Sequence, residues 1–126
     1  MPIVYVYGTL KHGYGNHRLL EVASTNPLGT ARFTFKAKMF CVGFPVLMKS
    51  RSKITVEGEL YEVDTATFKR LDRLESNGRM YKRKRKKLPN GKHAWYYMGM
   101  NSYWQPRAYG KHIQPDDDGV IRWRRS

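Results

Sequence analysis

Ten acidic side chains, four histidines, one cysteine and a glycine-rich loop are the parts of this 126-residue chain that could do chemistry. The histidines, His12, His17, His93 and His112, show no HxxxH or HxH spacing, and none adjoins Cys41. The pattern therefore gives a metal centre no support. Cys41 stands in an apolar run without a strand-to-helix elbow, the setting of a core cysteine rather than a nucleophile. "GTLKHGYG" is not a phosphate loop, because GxxxxGK[ST] is absent.

What remains are carboxylates and the opening loop. Glu57, Glu59 and Glu62 fall on an alternating strand, Asp116 to Asp118 form a polar turn, and Asp72 stands among Lys69, Arg70 and Arg73 on an expected solvent face. Glu75 differs, because it follows Phe68, Leu71 and Leu74 at the C-terminal end of an apolar helix face, directly before the chain-breaking "SNG". A carboxylate there feels the negative end of the helix dipole, which favours its protonated form and raises its pKa. That suits a proton-transfer group. The same position also suits an ordinary helix-end glutamate paired with Arg79. In "VYVYGTLKHGYGNHR", Val4 to Arg18, a strand breaks off into a loop with Gly8, Gly13 and Gly15. Successive N–H groups in a glycine turn can form an anion-binding concavity, and Gly8 lacks a side chain that would block approach.

The elements that would position these groups can be read along the chain. Ile3 to Tyr7 alternates and is rich in β-branched and aromatic residues, as a strand is, with Tyr5 and Tyr7 on one face. Asn16 to about Ala23 is expected as a short helix capped by Asn16. Ala31 to Phe44 reads as a strand that bends before Pro45, and "PVLMK" continues extended. Ile54 to Val63 alternates around Gly58, where another backbone or a ligand should come close. Asp64 to Glu75 switches to helical spacing, with Thr65 as the expected cap and one apolar face packed on a sheet. Met80 to Leu88 and Lys92 to Met100 flank Asn90-Gly91, a strong hairpin signal. From about residue 101 the chain gives no clear pattern, and residues 1–126 are expected to form one domain.

Charge is distributed unevenly along the net +14. Residues 1–81 carry 12 basic against 7 acidic side chains, and residues 82–126 carry 12 against 3. Six consecutive cations, Lys82, Arg83, Lys84, Arg85, Lys86 and Lys87, cannot all point at solvent from a central strand, so an edge strand or barrel rim is expected. Lysine-rich edges discourage edge-to-edge aggregation. The run could equally grip nucleic acid or another anionic partner, with Trp95, Tyr96 and Tyr97 either stacking on bases or packing in the core. One cysteine and the absence of an apolar run of about 18 to 20 residues point to a reducing, cytoplasmic setting and no membrane span.

"VYVYGTLKHGYGNH" followed by "VEGELYEVDTATFKRLDRLESNGRMYKR" resembles the gamma-glutamyl cyclotransferase-like family, closest to its gamma-glutamylamine cyclotransferase branch. A first strand running into Y-G-[ST]-L, a later v-G-x-[LV]-Y strand and an LD..E helix followed by a tyrosine and a basic strand are present in order. "GFPVL", Gly43 to Leu47, matches the segment between. The likeness covers roughly residues 3 to 99.

The resemblance implies an α+β fold, a small mixed β-barrel with short flanking helices. It implies that the backbone of Tyr7, Gly8, Thr9 and Leu10 holds the α-carboxylate and ammonium of a glutamyl group. Glu75 would be the acid/base and Tyr81 would orient it or the substrate, although Tyr81 also reads as a core aromatic. The implied reaction is cyclisation of a γ-glutamyl amide or conjugate to 5-oxoproline with release of an amine, without metal or cofactor. The competing expectation is a catalytically inactive scaffold of the same fold that binds a polyanion through Lys82 to Lys87.

Overall fold

The structure, a computed structural model, describes residues 1–8, 11, 17–21, 25–105, 107 and 112–123. Its strands are β1 (Ile3–Val6), β2 (Asn26–Cys41), β3 (Pro45–Glu62), β4 (Tyr81–Lys87), β5 (His93–Gly99) and β6 (Val120–Ile121). The helices are α1 (Thr65–Leu74) and the single turn α2 (Asn101–Trp104), with a 3-10 turn over His17–Leu20. The expected helix from Asn16 is thus a 3-10 turn where it is described, and Asn16 itself lies outside the described residues.

The fold is α+β, built on one mixed sheet in the order β2-β3-β1-β5-β4, with β6 beside β3. β1 runs antiparallel to β3 and parallel to β5, so it is the central strand and is buried on both faces. Its side chains alternate accordingly: Ile3, Tyr5 and Tyr7 join the core on one face, and Val4 and Val6 join that on the other. The two extended segments expected around Pro45 and Ile54 are one long bent strand, β3. Its register with β2 shifts at Lys36/Ala37, which skips Ser50 to Ser52 and lets the hairpin turn a corner. A Cβ on Gly58 would lie 2.5 Å from the Val6 carbonyl oxygen and 2.6 Å from the Tyr5 ring. The close neighbour expected at that glycine is therefore β1.

The barrel expectation needs one correction. Among the described residues no backbone pairing joins edge strand β2 to edge strand β4, so the sheet curls without closing. A side chain spans the gap: the Lys86 ammonium, 5.0 Å from the Phe35 ring centroid, donates to the Thr34 carbonyl on β2. β4 is the expected edge strand, and the Asn90-Gly91 turn joins it to β5 with Gly91 at φ 85°.

Helix α1 falls within the expected Asp64 to Glu75, with its cap one residue earlier than expected. Asp64, not Thr65, is the cap, and its carboxylate accepts from the Thr67 backbone N–H at 2.6 Å while complementing the helix dipole. The buried stripe is Thr67 and Leu71, with Phe68 half-buried and Leu74 39% exposed. Beyond α2 the chain returns to the sheet. Val120 and Ile121 pair in parallel with Thr55 and Val56, and Trp123 is buried. Arg122 anchors this return through Asp116 at 2.8 Å, Asp118 at 2.7 Å and Glu57 at 3.3 Å.

Candidate active site

Glu75 is the cap residue at the C-terminus of α1, and its position on the helix aims it inward. Thr67, Leu71 and Glu75 recur at four-residue steps, so the carboxylate extends the buried stripe beyond the last turn. The helix ends in a Schellman-type closure. The Asn77 N–H donates to the Asp72 carbonyl at 2.9 Å and the Ser76 N–H to that of Arg73 at 3.2 Å, while Ser76 takes the left-handed φ of 46° that glycine usually fills there. The reversal lets Met80 and Tyr81 come back against the helix end.

Glu75 opens into a cleft of about 190 Å³ between the ends of β1, β4 and β5 and the turn before β3. Tyr7, Gly8 and Tyr81 line the same cleft, so three of the expected binding residues meet the expected acid/base. Thr9 and Leu10 lie outside the described residues. The ion pair with Arg79 is not formed. Among the described residues no hydrogen bond or salt bridge engages the Glu75 carboxylate, and Arg79 instead lies over the Tyr103 ring at 5.8 Å. Burial pushes the Glu75 carboxyl up to about 7. The direction matches the sequence expectation, but the cause is removal from water rather than the helix dipole.

The tyrosines around it have different duties. Tyr7 is buried and donates its hydroxyl to the Tyr97 carbonyl at 2.7 Å, and Tyr5 likewise donates to the Val56 carbonyl at 2.7 Å. Both side chains are fixed parts of the wall. Tyr81 packs its ring 5.7 Å from Trp104, and its hydroxyl has no partner among the described residues. Burial raises its pKa, with the nearby Glu75 adding to the effect, so it stays a neutral donor beside the carboxylate. Gly8 also has a packing role. A Cβ there would stand 2.8 Å from Pro45 Cγ, so the missing side chain lets the β1 end and the β3 start close on one another.

Several wall residues have no counterpart among the sequence expectations. Phe44, Leu74 and Met80 make an apolar rim, and Tyr97 and Tyr5 complete the interior. Phe44 and Pro45 carry the one available signal, the match of "GFPVL" to the family. Asp72 departs from the solvent face expected of it. It is half-buried, accepts from the Tyr97 hydroxyl at 2.6 Å and pairs with Arg83, rather than facing water among its cationic neighbours. No group of three His, Cys, Asp or Glu side chains among the described residues could hold a metal ion.

The basic strand β4 is spoken for in part. Arg83 pairs with Asp72, Lys86 reaches Thr34, and Arg85 lies 5.5 Å from the centroid of Trp95. Tyr96 and Tyr97 are buried, and Trp95 is covered by Phe68 at 5.8 Å and by Arg83 at 4.8 Å, so the aromatics of β5 belong to the packing. No helix among the described residues is long and apolar enough to cross a membrane.

Comparison with known proteins gives the same direction. A family model described as gamma-glutamyl cyclotransferase, AIG2-like, matches residues 4–123. A provisionally named gamma-glutamylcyclotransferase of Methanocaldococcus jannaschii is 34% identical over 101 residues, which are 77% of this chain and 83% of that protein. The gamma-glutamylaminecyclotransferase of Homo sapiens is 33% identical over 94 residues, 66% of this chain and 59% of the human protein. The crystal structure of an AIG2-like protein from Mus musculus shares the fold, with a TM-score of 0.70 at 22% identity over 99% of this chain and 97% of the mouse chain. On the extent of the family match and the identity to these relatives, the chain belongs to the gamma-glutamyl cyclotransferase, AIG2-like family.

Proposed function

We propose that this chain is a gamma-glutamyl cyclotransferase that converts a γ-glutamyl amide to 5-oxoproline and a free amine. The observation that carries the reading is Glu75: a carboxylate with no partner among the described residues, in a cleft shared with Gly8 and Tyr81, and raised to about 7 by burial. A buried carboxylate left without a counter-ion has no structural use that a glutamine or leucine would not serve better. A carboxyl titrating near neutrality can both take and return a proton.

In this reading the backbone of Tyr7, Gly8, Thr9 and Leu10 holds the α-carboxylate of the glutamyl group. Ionised Glu75 takes a proton from the α-ammonium. The freed amine nitrogen attacks the γ-carbonyl carbon, forming the fifth bond of a lactam ring and a tetrahedral centre. That centre collapses as the original amide C–N bond breaks: Glu75 returns its proton to the departing nitrogen, and the ring nitrogen then gives up its second proton to the regenerated carboxylate, which passes it to the released amine or to water. Tyr81 donates its hydroxyl to the carboxylate or to the developing oxyanion. Nucleophile and electrophile share one molecule, so the enzyme's main work is to hold the reactive conformer, and the chemistry calls on no cofactor.

The leaving amine departs through the rim of Phe44, Leu74 and Met80, so a group with an apolar stem next to the nitrogen packs there best. A panel of γ-glutamyl amides, peptides and conjugates with 5-oxoproline as readout tests the reading. Turnover of at least one supports it, and no product from any of them contradicts it.

A further inference from the structure

Asp72 stands three residues before Glu75 on α1 and is joined to two other elements of the site. Its Oδ1 accepts from the Tyr97 hydroxyl at 2.6 Å on β5, and its Oδ2 accepts from the Arg83 guanidinium on β4. The guanidinium lies against two adjoining rings, 4.4 Å from the Phe68 centroid and 4.8 Å from that of Trp95. The Arg83 backbone N–H donates to the Asn77 side-chain oxygen at 2.9 Å, which ties the same residue to the turn after Glu75. Phe68 and Asp72 are one helical step apart, so a single cation clasps the helix at two points.

Tyr97 is where this clasp reaches the cleft. Its ring forms part of the wall, its hydroxyl is held by Asp72, and its carbonyl accepts from the Tyr7 hydroxyl at 2.7 Å. An ion pair of this kind, with both side chains about a quarter exposed, is a weak source of stability, because its desolvation offsets much of its attraction. Apolar residues at positions 72 and 83 would pack against Phe68 and Trp95 at less cost. The pair does something they would not: it sets an orientation.

We propose that Asp72, held by Arg83, is a positioning residue of the cleft, fixing the Tyr97 ring in the wall and binding the end of α1 that carries Glu75 to β4 and β5. The kinetic part of this inference rests on the cyclotransferase reading, whereas the geometric part stands without it. Arg83 also compensates the Asp72 charge one helical turn from Glu75. Among the described residues the other ionisable groups facing Glu75 are Tyr7 just after β1, Tyr81 from β4 and Tyr97 from β5, all kept neutral by burial. Asp72, three residues before Glu75 on α1, is the carboxylate whose charge Arg83 meets.

The test uses Arg83→Met, which keeps an apolar stem against the rings, Arg83→Lys, which keeps the charge, and Tyr97→Phe, which removes one oxygen. Two readouts are taken on the full chain: the Glu75 side-chain carboxyl followed by carbon NMR against pH, and kcat and KM for 5-oxoproline formation from an amide the wild type turns over. In Arg83→Met and Tyr97→Phe the Glu75 midpoint rises by roughly half a pH unit, because the Asp72 charge is less well met. Arg83→Lys recovers most of that shift. Tyr97→Phe lowers kcat about tenfold with KM changed less than about threefold, the mark of lost orientation rather than lost binding. A Glu75 midpoint unmoved in the folded variants, or a wild-type kcat in Tyr97→Phe, overturns the proposal. Should the wild type form no 5-oxoproline from any amide, the functional reading fails by itself and the titration still decides the positioning role.

Discussion

The Tyr7 hydroxyl donates to the Tyr97 carbonyl at 2.7 Å, across 90 residues of sequence, and so pins β1 to β5 at the inner end of the cleft. Tyr81, which lines the same cleft, has no such engagement among the described residues. Two tyrosines that look alike in sequence should therefore fail differently when their oxygen is removed. Tyr7→Phe leaves a buried carbonyl without its donor and lowers unfolding free energy by about 1 to 3 kcal/mol. Tyr81→Phe leaves stability within about 0.5 kcal/mol and lowers kcat/KM by roughly tenfold or more, because a donor to charged oxygen is lost where the reaction needs it. Urea unfolding and steady-state kinetics on the two variants separate these outcomes.

The pH dependence follows from the Glu75 carboxyl, raised from the ordinary carboxylate range to about 7. As the base that accepts the ammonium proton it must be ionised, so kcat/KM falls as pH drops below about 7, reaching about a hundredfold below its plateau near pH 5. An acid limb centred near 4.5 instead would mean that Glu75 is not the titrating base.

The same shift has a cost in stability, with a sign that can be worked out. The folded state holds the Glu75 proton to higher pH than the unfolded chain, so stability is unaffected below about pH 4.5, declines between 4.5 and 7, and stays lower above. Each pKa unit is about 1.4 kcal/mol, so the penalty above pH 7 is of the order of 3 kcal/mol. Glu75→Gln should accordingly be more stable than wild type at pH 8 and no more stable at pH 4. Thermal melts of both proteins at the two pH values check this.

Two glycines make a matched pair of packing predictions. At Gly58 an added Cβ meets the Val6 carbonyl at 2.5 Å and the buried Tyr5 ring at 2.6 Å, neither of which can give way. At Gly8 it meets only the Pro45 ring, at 2.8 Å to Cγ. Gly58→Ala should exceed the usual overpacking loss of about 1 to 3 kcal/mol, while Gly8→Ala stays within it and lowers kcat/KM by distorting the cleft. Equal losses in chemical denaturation would argue against this assignment of the two contacts.

Much of this arrangement is legible in the order of the residues. β1 is legible in its β-branched and aromatic residues, although both of its faces are buried, and Asn90-Gly91 marks the β4–β5 hairpin by its backbone demand. The inward aim of Glu75 is half legible. Three-residue steps through Phe68, Leu71 and Leu74 put Glu75 at the end of the apolar face, whereas the buried stripe runs at four-residue steps through Thr67 and Leu71. Asp72 misleads because its neighbours in sequence are cations on the solvent side. Its partners, Arg83 and Tyr97, come from strands that only the tertiary fold brings near. The return of Val120 and Ile121 to β3 is hidden for a similar reason: a two-residue strand carries no periodicity.

The basic strand supplies a prediction of little effect. The side chains of Lys82, Lys84 and Lys87 make no hydrogen bond or ion pair among the described residues and do not line the cleft. Replacing all three by Gln should leave 5-oxoproline formation within about twofold of wild type, with surface charge removed at little cost in stability. A large rise in KM in the triple variant would instead show that these cations draw in an anionic substrate.

In the proposed mechanism Glu75 moves the proton. The most direct measurement is the rate of 5-oxoproline formation by purified, folded Glu75→Gln at pH 8, on an amide the wild type turns over. The variant keeps the size and shape of the side chain and loses the titrating group, so kcat should fall by about 10² to 10⁴. A Glu75→Gln protein that makes 5-oxoproline at the wild-type rate would contradict it.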